Sequence, residues 1–118
     1  MKKDNKRITD LIREYVNAVD PKAEVILYGS RARGDEKPDS DWDLLILTDA
    51  EAGIELERKF RDKLYDLQLE TDEVFSVFVF SKNEWHSRQR ITPFFHHVER
   101  EGIGIWQRKK GSSTWPTD

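Results

Sequence analysis

Residues 28–44 read YGSRARGDEKPDSDWDL, and this stretch decides the fold because it joins two short aliphatic runs through a polar turn. Aliphatic runs of four to six residues are typical of buried strands rather than of helices. The pattern predicts strands at Glu24–Tyr28 and Trp42–Thr48. The glycines, serine and arginines between them indicate a turn that contains one short helix, at Ser30–Arg33.

The end of the turn carries alternating aspartates, of which Asp41 and Asp43 enter the second strand. Side chains at i and i+2 on a strand point to the same face, so these two carboxylates should project together. Two neighbouring carboxylates repel each other unless a cation lies between them, and a set of oxygen ligands suits magnesium. We therefore predict that Asp41 and Asp43 bind one or two Mg²⁺ ions. Trp42 points to the opposite face and is expected to pack in the core.

The start of the turn has the features of a phosphate site. Gly29 and Ser30 leave a strand and enter a helix, where free backbone N–H groups attract phosphate. Arg31 and Arg33 could add bidentate hydrogen bonds to phosphate oxygens. The alternative for either arginine is an ion pair with Asp35 or with another aspartate of the turn or the metal site. A phosphate site at the start of the turn and a magnesium site at its end together form the arrangement that holds a nucleoside triphosphate.

The two halves of the stretch, GSRARG at residues 29–34 and DSDWDL at residues 39–44, together resemble the signature of the polymerase-beta-like nucleotidyltransferase superfamily. Either half alone would be a weak indication, but the joined pattern is specific. Within that superfamily, the chain is most similar to the minimal nucleotidyltransferases. The resemblance implies an α/β (α+β) fold with a mixed β-sheet flanked by helices.

The resemblance also implies an activity and a partner. Relatives move a nucleoside monophosphate, for this chain AMP from ATP, to a hydroxyl acceptor. Chains this short lack the additional domain with which larger relatives bind their acceptor, so a partner protein would supply it. By resemblance that partner is an α-helical HEPN-type ribonuclease toxin, and this chain is its antitoxin.

One position departs from the family pattern. Relatives commonly carry a third metal-binding aspartate on the next strand, where this sequence has Ser76. Asp72 and Glu73 lie nearby but do not replace it convincingly, since Asp72 is four residues away and Glu73 has the wrong strand parity. A second hypothesis is therefore open: a catalytically weakened nucleotide-binding or protein-binding module that keeps the fold.

Composition sets broader limits on the 118-residue chain. Its length suits one domain, which we place at residues 1–106, with a flexible tail at 107–118. The net charge of −3 argues against an extended nucleic-acid surface. With no cysteine, no apolar run of membrane-spanning length and no signal peptide, a cytoplasmic protein is expected.

The rest of the chain predicts helices on both sides of the sheet. Apolar stripes indicate helices at residues 5–18 and 49–69, and the second of these would connect two parallel strands. Residues 74–80 form a strand that is apolar on both faces, and is therefore expected to be central or well covered. Further helices should begin after Ser81, in a capping box, and at Thr92-Pro93.

The C-terminal part contains a further extended segment and a pair of histidines. Residues 103–106 are predicted to form a short edge strand. His96 and His97 are adjacent and would diverge on a helix, so one is expected at the surface and the other half-buried rather than both on one metal.

Overall fold

The computed structural model describes residues 3–105 and contains four strands and five α-helices over that range. In chain order the elements are α1 Lys3–Val19, β1 Glu24–Tyr28, α2 Ser30–Arg33, β2 Trp42–Thr48, α3 Ile54–Thr71, β3 Phe75–Ser81, α4 Lys82–His86, a 3₁₀ turn Arg88–Ile91, α5 Pro93–Glu101 and β4 Ile103–Gly104. The predicted bounds of β1, α2 and β2 are confirmed. The predicted tail and Trp106 lie outside the described residues.

The strands form one mixed sheet in the order β3-β2-β1-β4. The polar turn joins β1 and β2 as antiparallel neighbours, and β4 pairs antiparallel with the other side of β1. Strands β2 and β3 run parallel, and α3 makes the long crossover that a parallel connection requires. The predicted mixed sheet and its parallel pair are confirmed.

Helices cover both faces of the sheet, so the two central strands are apolar on both sides. One face packs against α1 and α3, through side chains that include Leu44 and Phe60. The other face packs against α4 and α5, with Leu45 and Trp85 among its buried side chains. Because successive strand residues alternate between faces, Trp42 lies on the α1–α3 side and Asp43 lies on the α5 side.

Two predicted elements differ from the structure. Helix α3 begins at Ile54 rather than at residue 49, since Gly53 is its N-cap and residues 49–53 form bends and irregular backbone. The expectation that the third strand is central or well covered holds only in part, since β3 is an edge strand of the described sheet while Val77 and Val79 are buried. Its Phe78 stays 46% exposed, and its ring packs on Phe94 of α5, with the centroids 5.1 Å apart.

The start of each C-terminal helix is fixed by a side-chain cap. The Ser81 hydroxyl accepts a hydrogen bond of 3.0 Å from the backbone N–H of Glu84, and the Thr92 hydroxyl accepts one of 3.1 Å from Phe95. Both caps satisfy helix donors that would otherwise lack a partner, and the sequence predicted the Ser81 cap and the helix start at Thr92-Pro93. Together they direct α5 across the sheet so that its last residue, Glu101, reaches the turn after β1. None of the helices described here is long and apolar enough to cross a membrane.

Candidate functional site

Strand register brings the predicted site residues together at one end of the sheet. Asp43 opposes Tyr28 on the antiparallel side and Ser76 on the parallel side. Paired residues of neighbouring strands project to the same face, so these three side chains share the α5 face. Asp41 directly precedes β2 and is exposed. Ser76 therefore lies beside Asp43, on the next strand, as the family resemblance implied.

Gly29 allows the turn to approach Asp43 closely. Its backbone angles, φ 77° and ψ −160°, fall in a region that is essentially restricted to glycine. A Cβ atom at this position would overlap Oδ2 of Asp43 and lie 3.1 Å from its Cγ. The missing side chain therefore leaves room for the carboxylate against the backbone of the turn.

Burial and nearby carboxylates disfavour the ionised form of Asp43. Burial is the largest cause that raises its pKa, followed by the neighbouring charges of Asp41 and Glu101, while Arg33 acts in the opposite direction. Burial, and then the charge of Asp43, also raise the pKa of Tyr28 to about 12, so this phenol stays neutral at physiological pH. The site carries more negative charge than the protein neutralises.

A divalent cation would relieve this charge excess. Asp41 and Asp43 offer adjacent carboxylate oxygens, the donor type that Mg²⁺ prefers. Within residues 3–105, no three His, Cys, Asp or Glu side chains form a metal-binding group. The residues present thus fit a metal held by two carboxylates and completed by oxygens from a ligand, such as those of a phosphate chain.

The sequence did not single out Glu101. Its Oε2 accepts a hydrogen bond of 2.6 Å from the backbone N–H of Gly29, and the Arg33 guanidinium donates to both of its carboxylate oxygens, at 3.2 and 3.3 Å. His97 Nε2 lies 3.1 Å from the same Oε2. The spacing of four residues between His97 and Glu101 on one helix was the available signal. The contact between Glu101 and the turn depends on tertiary structure, because the pairing of β4 with β1 sets where the end of α5 lies.

Arg31 lies on the other side of the sheet from Asp43. The residue is 8% exposed, and its guanidinium stacks over the Trp42 ring, with Cζ 4.6 Å from the centroid. It donates to the carbonyl oxygens of Ser40, at 2.9 Å, and of Pro38, at 3.3 Å. These bonds tie α2 to the segment that leads into β2.

The same guanidinium also contacts Glu73, at 3.4 Å. Glu73 Oε1 accepts a shorter bond, 2.8 Å, from the Trp42 indole N–H. The phosphate role predicted for Arg31 is therefore not favoured by its contacts, which direct its donors into the protein. Its ion-pair partner is also not one of the aspartates considered. Glu73 is committed to this cluster and does not replace the third carboxylate.

Arg33 does pair with Asp35, at 3.2 Å, as its alternative interpretation expected.

Comparison with known proteins decides the family. Residues 9–98 match the family of nucleotidyltransferase domains. The chain belongs to this family. The match includes the glycine turn, both strand-two aspartates and β3, as expected for a minimal nucleotidyltransferase. No curated protein matches the sequence significantly.

Solved structures share the nucleotidyltransferase fold. One is described as a toxin–antitoxin with AMP-PNP: it is 17% identical, the TM-score is 0.64, and the match covers 86% of this chain and 75% of that chain. Another is a mutant of the toxin–antitoxin MntA-HpeT, 16% identical with a TM-score of 0.63 and the same coverage. At these identities the likeness establishes the fold.

Arg31→Lys should destabilise this nucleotidyltransferase. Lysine keeps the charge but cannot serve the Ser40, Pro38 and Glu73 oxygens at once. We expect a loss of about 1.5–3 kcal/mol in the free energy of unfolding, measured by denaturant titration, the value of a hydrogen bond to a charged group. The control is Arg58→Lys, at an exposed position of α3. Unchanged stability together with weakened ATP binding would instead restore the phosphate role of Arg31.

Asp43→Asn should raise the melting temperature at neutral pH in the presence of a chelator. Because the pKa of Asp43 is raised in the folded protein, its ionised form costs stability above that raised pKa. This cost disappears as the pH falls through the raised pKa toward the ordinary value for aspartate. The advantage of the variant must therefore shrink in acid. Melting curves across pH test this, with exposed Asp39→Asn as the control; an equal or lower melting temperature at neutral pH would contradict it.

Proposed function

We propose that this nucleotidyltransferase moves AMP from ATP to a hydroxyl group on a partner protein and requires Mg²⁺. The observation that carries the proposal is the approach of Asp43 to the Gly29 turn. This approach supports the proposal, because the backbone that we assign to phosphate lies against the carboxylate that we assign to the metal. A metal-bound triphosphate needs both within the span of one phosphate chain.

Four of the predicted residues have a role in this proposal. Asp41 and Asp43 hold the metal, and Gly29 and Ser30 hold the triphosphate. Bound Mg²⁺ would neutralise phosphate charge and polarise the reacting phosphoryl group. The protein's own task is to fix the phosphate chain beside the carboxylates, so that the acceptor hydroxyl can approach in line.

The weak point of the site is activation of the acceptor. Ser76 stands beside Asp43 but is neutral, and a hydroxyl is a poor substitute for a metal-binding carboxylate. Tyr28, on the other side of Asp43, stays protonated at physiological pH because its pKa is about 12. Neither neighbour supplies a base, so transfer by this protein should be slow.

The acceptor belongs to a partner in this proposal. The described residues form one sheet with its helices and contain no separate acceptor-binding domain. The solved structures with this fold include two described as toxin–antitoxin assemblies, one of them with AMP-PNP. We therefore assign this chain the role of a cytoplasmic antitoxin that modifies a helical, HEPN-type toxin.

A second function is favoured by the same Ser76. A protein that lacks the third carboxylate could bind nucleotide, or the partner alone, without turnover. This alternative predicts Mg²⁺-dependent ATP binding with no covalent product. The two functions therefore differ in whether AMP becomes attached to the partner.

Transfer is tested by incubating the chain with ATP, Mg²⁺ and the proposed toxin partner, taken as the protein encoded by the neighbouring gene. The products are then examined by intact-mass measurement. We expect slow addition of AMP to that protein by the wild type. Ser76→Asp should speed the addition, because it supplies a third carboxylate for the metal. Asp41→Asn combined with Asp43→Asn should abolish it, whereas exposed Asp39→Asn should not.

Calorimetry with ATP and Mg²⁺ separates the outcomes of this experiment. Binding that is lost in the double variant supports the metal assignment even if transfer is absent, and would favour the non-catalytic module. Binding that is unchanged in the double variant would refute the assignment of Asp41 and Asp43. If Ser76→Asp leaves the transfer rate unchanged or lower, Ser76 is not the missing ligand position.

A further inference from the structure

The protein holds one of its own carboxylates on the turn where the triphosphate should bind. Glu101 is the last residue of α5, and its side chain is only 13% exposed. Three groups converge on it, two from the turn after β1 and one from α5 itself. They are the Gly29 N–H, the Arg33 guanidinium and the His97 imidazole, and we call these three groups the anion pocket.

The anion pocket has the composition of a phosphate site. A backbone N–H, a guanidinium and an imidazole are the donors that proteins commonly present to phosphate oxygens. The hydrogen bond that the Gly29 N–H donates to Glu101 measures 2.6 Å, at the short end of the range for charge-assisted hydrogen bonds. A carboxylate is the anionic group within a protein that most resembles part of a phosphate.

We propose that Glu101 is an internal occupant of the triphosphate site, and that an incoming triphosphate displaces it and takes the anion pocket in its place. This inference rests on the proposed function. It assigns Arg33 and His97 to the phosphate chain, and it makes Glu101 a gate that lowers the affinity for triphosphate.

The alternative role for Glu101 is that of the missing third metal ligand. The contacts favour the gate. Oε2 accepts from the Gly29 N–H and from the Arg33 guanidinium, and Oε1 also accepts from Arg33, so the carboxylate is directed at the donors of the anion pocket rather than at a cation.

Removing the charge of Glu101 tests the gate. Glu101→Gln keeps the shape of the side chain but weakens its competition for the anion pocket. We expect Mg²⁺–ATP to bind about tenfold more tightly or better, since a hydrogen bond to a charged group is worth about 1.5–3 kcal/mol. Glu99→Gln, on the exposed side of the same helix, makes the same change in net charge and should leave the affinity within about twofold.

Arg33→Gln tests the other half of the proposal. If Arg33 passes from the carboxylate to the phosphate, its loss must weaken ATP binding in the wild type and in Glu101→Gln alike. If Arg33 only holds the gate closed, its loss would tighten binding and overturn this assignment. Inorganic triphosphate should respond to all three substitutions as ATP does, because the anion pocket contacts phosphate and not the base.

Calorimetry with Mg²⁺–ATP gives a separate result for each failure. Should Glu101→Gln bind ATP no better than the wild type, or less well, the gate is refuted; a Mg²⁺-specific loss would make Glu101 a metal ligand instead. Glu101→Ala serves as a second variant if the glutamine form melts at a lower temperature. If neither the wild type nor any variant binds ATP, the proposed function itself fails and the gate with it.

Discussion

The burial of the Arg31 guanidinium against the Trp42 ring is the interaction on which the site depends. It joins α2 to the carbonyl oxygens of Pro38 and Ser40, and so fixes the path by which the chain enters β2. Asp41 and Asp43 lie at that entry. A guanidinium suits this task because its planar fork can serve several oxygens at once in a nearly dry environment. The arginine of the turn thus acts on the chemistry through the backbone it positions.

The site on the other face of the sheet is built from unbalanced negative charge. Asp43 lies against the turn because Gly29 has no side chain to occupy that space. Its ionised form is disfavoured by burial and by nearby carboxylates. Such a site gains most from a cation that arrives with its own oxygen ligands. Glu101 meanwhile satisfies the donors of the turn while no phosphate is bound. Affinity for triphosphate is then set by competition between two anions.

Local patterns were sufficient to predict the elements around the site. The aliphatic runs and the polar turn specify β1, α2 and β2, and the aspartate parity places Asp43 beside Ser76 once β2 and β3 are parallel. Features that depend on tertiary arrangement could not be read in the same way. Apolar residues on both faces of β3 indicated a central or well-covered strand, but β3 lies at the sheet edge and Phe78 is covered only in part, by Phe94. Likewise, the partners of Arg31 and the reach of Glu101 are set by contacts 42 and 72 residues apart.

A solved structure of the protein with Mg²⁺ and a non-hydrolysable ATP analogue tests the central claim most directly. The account predicts a metal on the carboxylates of Asp41 and Asp43, with phosphate oxygens on the Gly29 turn. It also predicts that the Arg31 guanidinium still stacks on the Trp42 ring and still donates to the Ser40 carbonyl oxygen. A metal elsewhere, or a phosphate bound by Arg31 after it has left Trp42, would contradict the account.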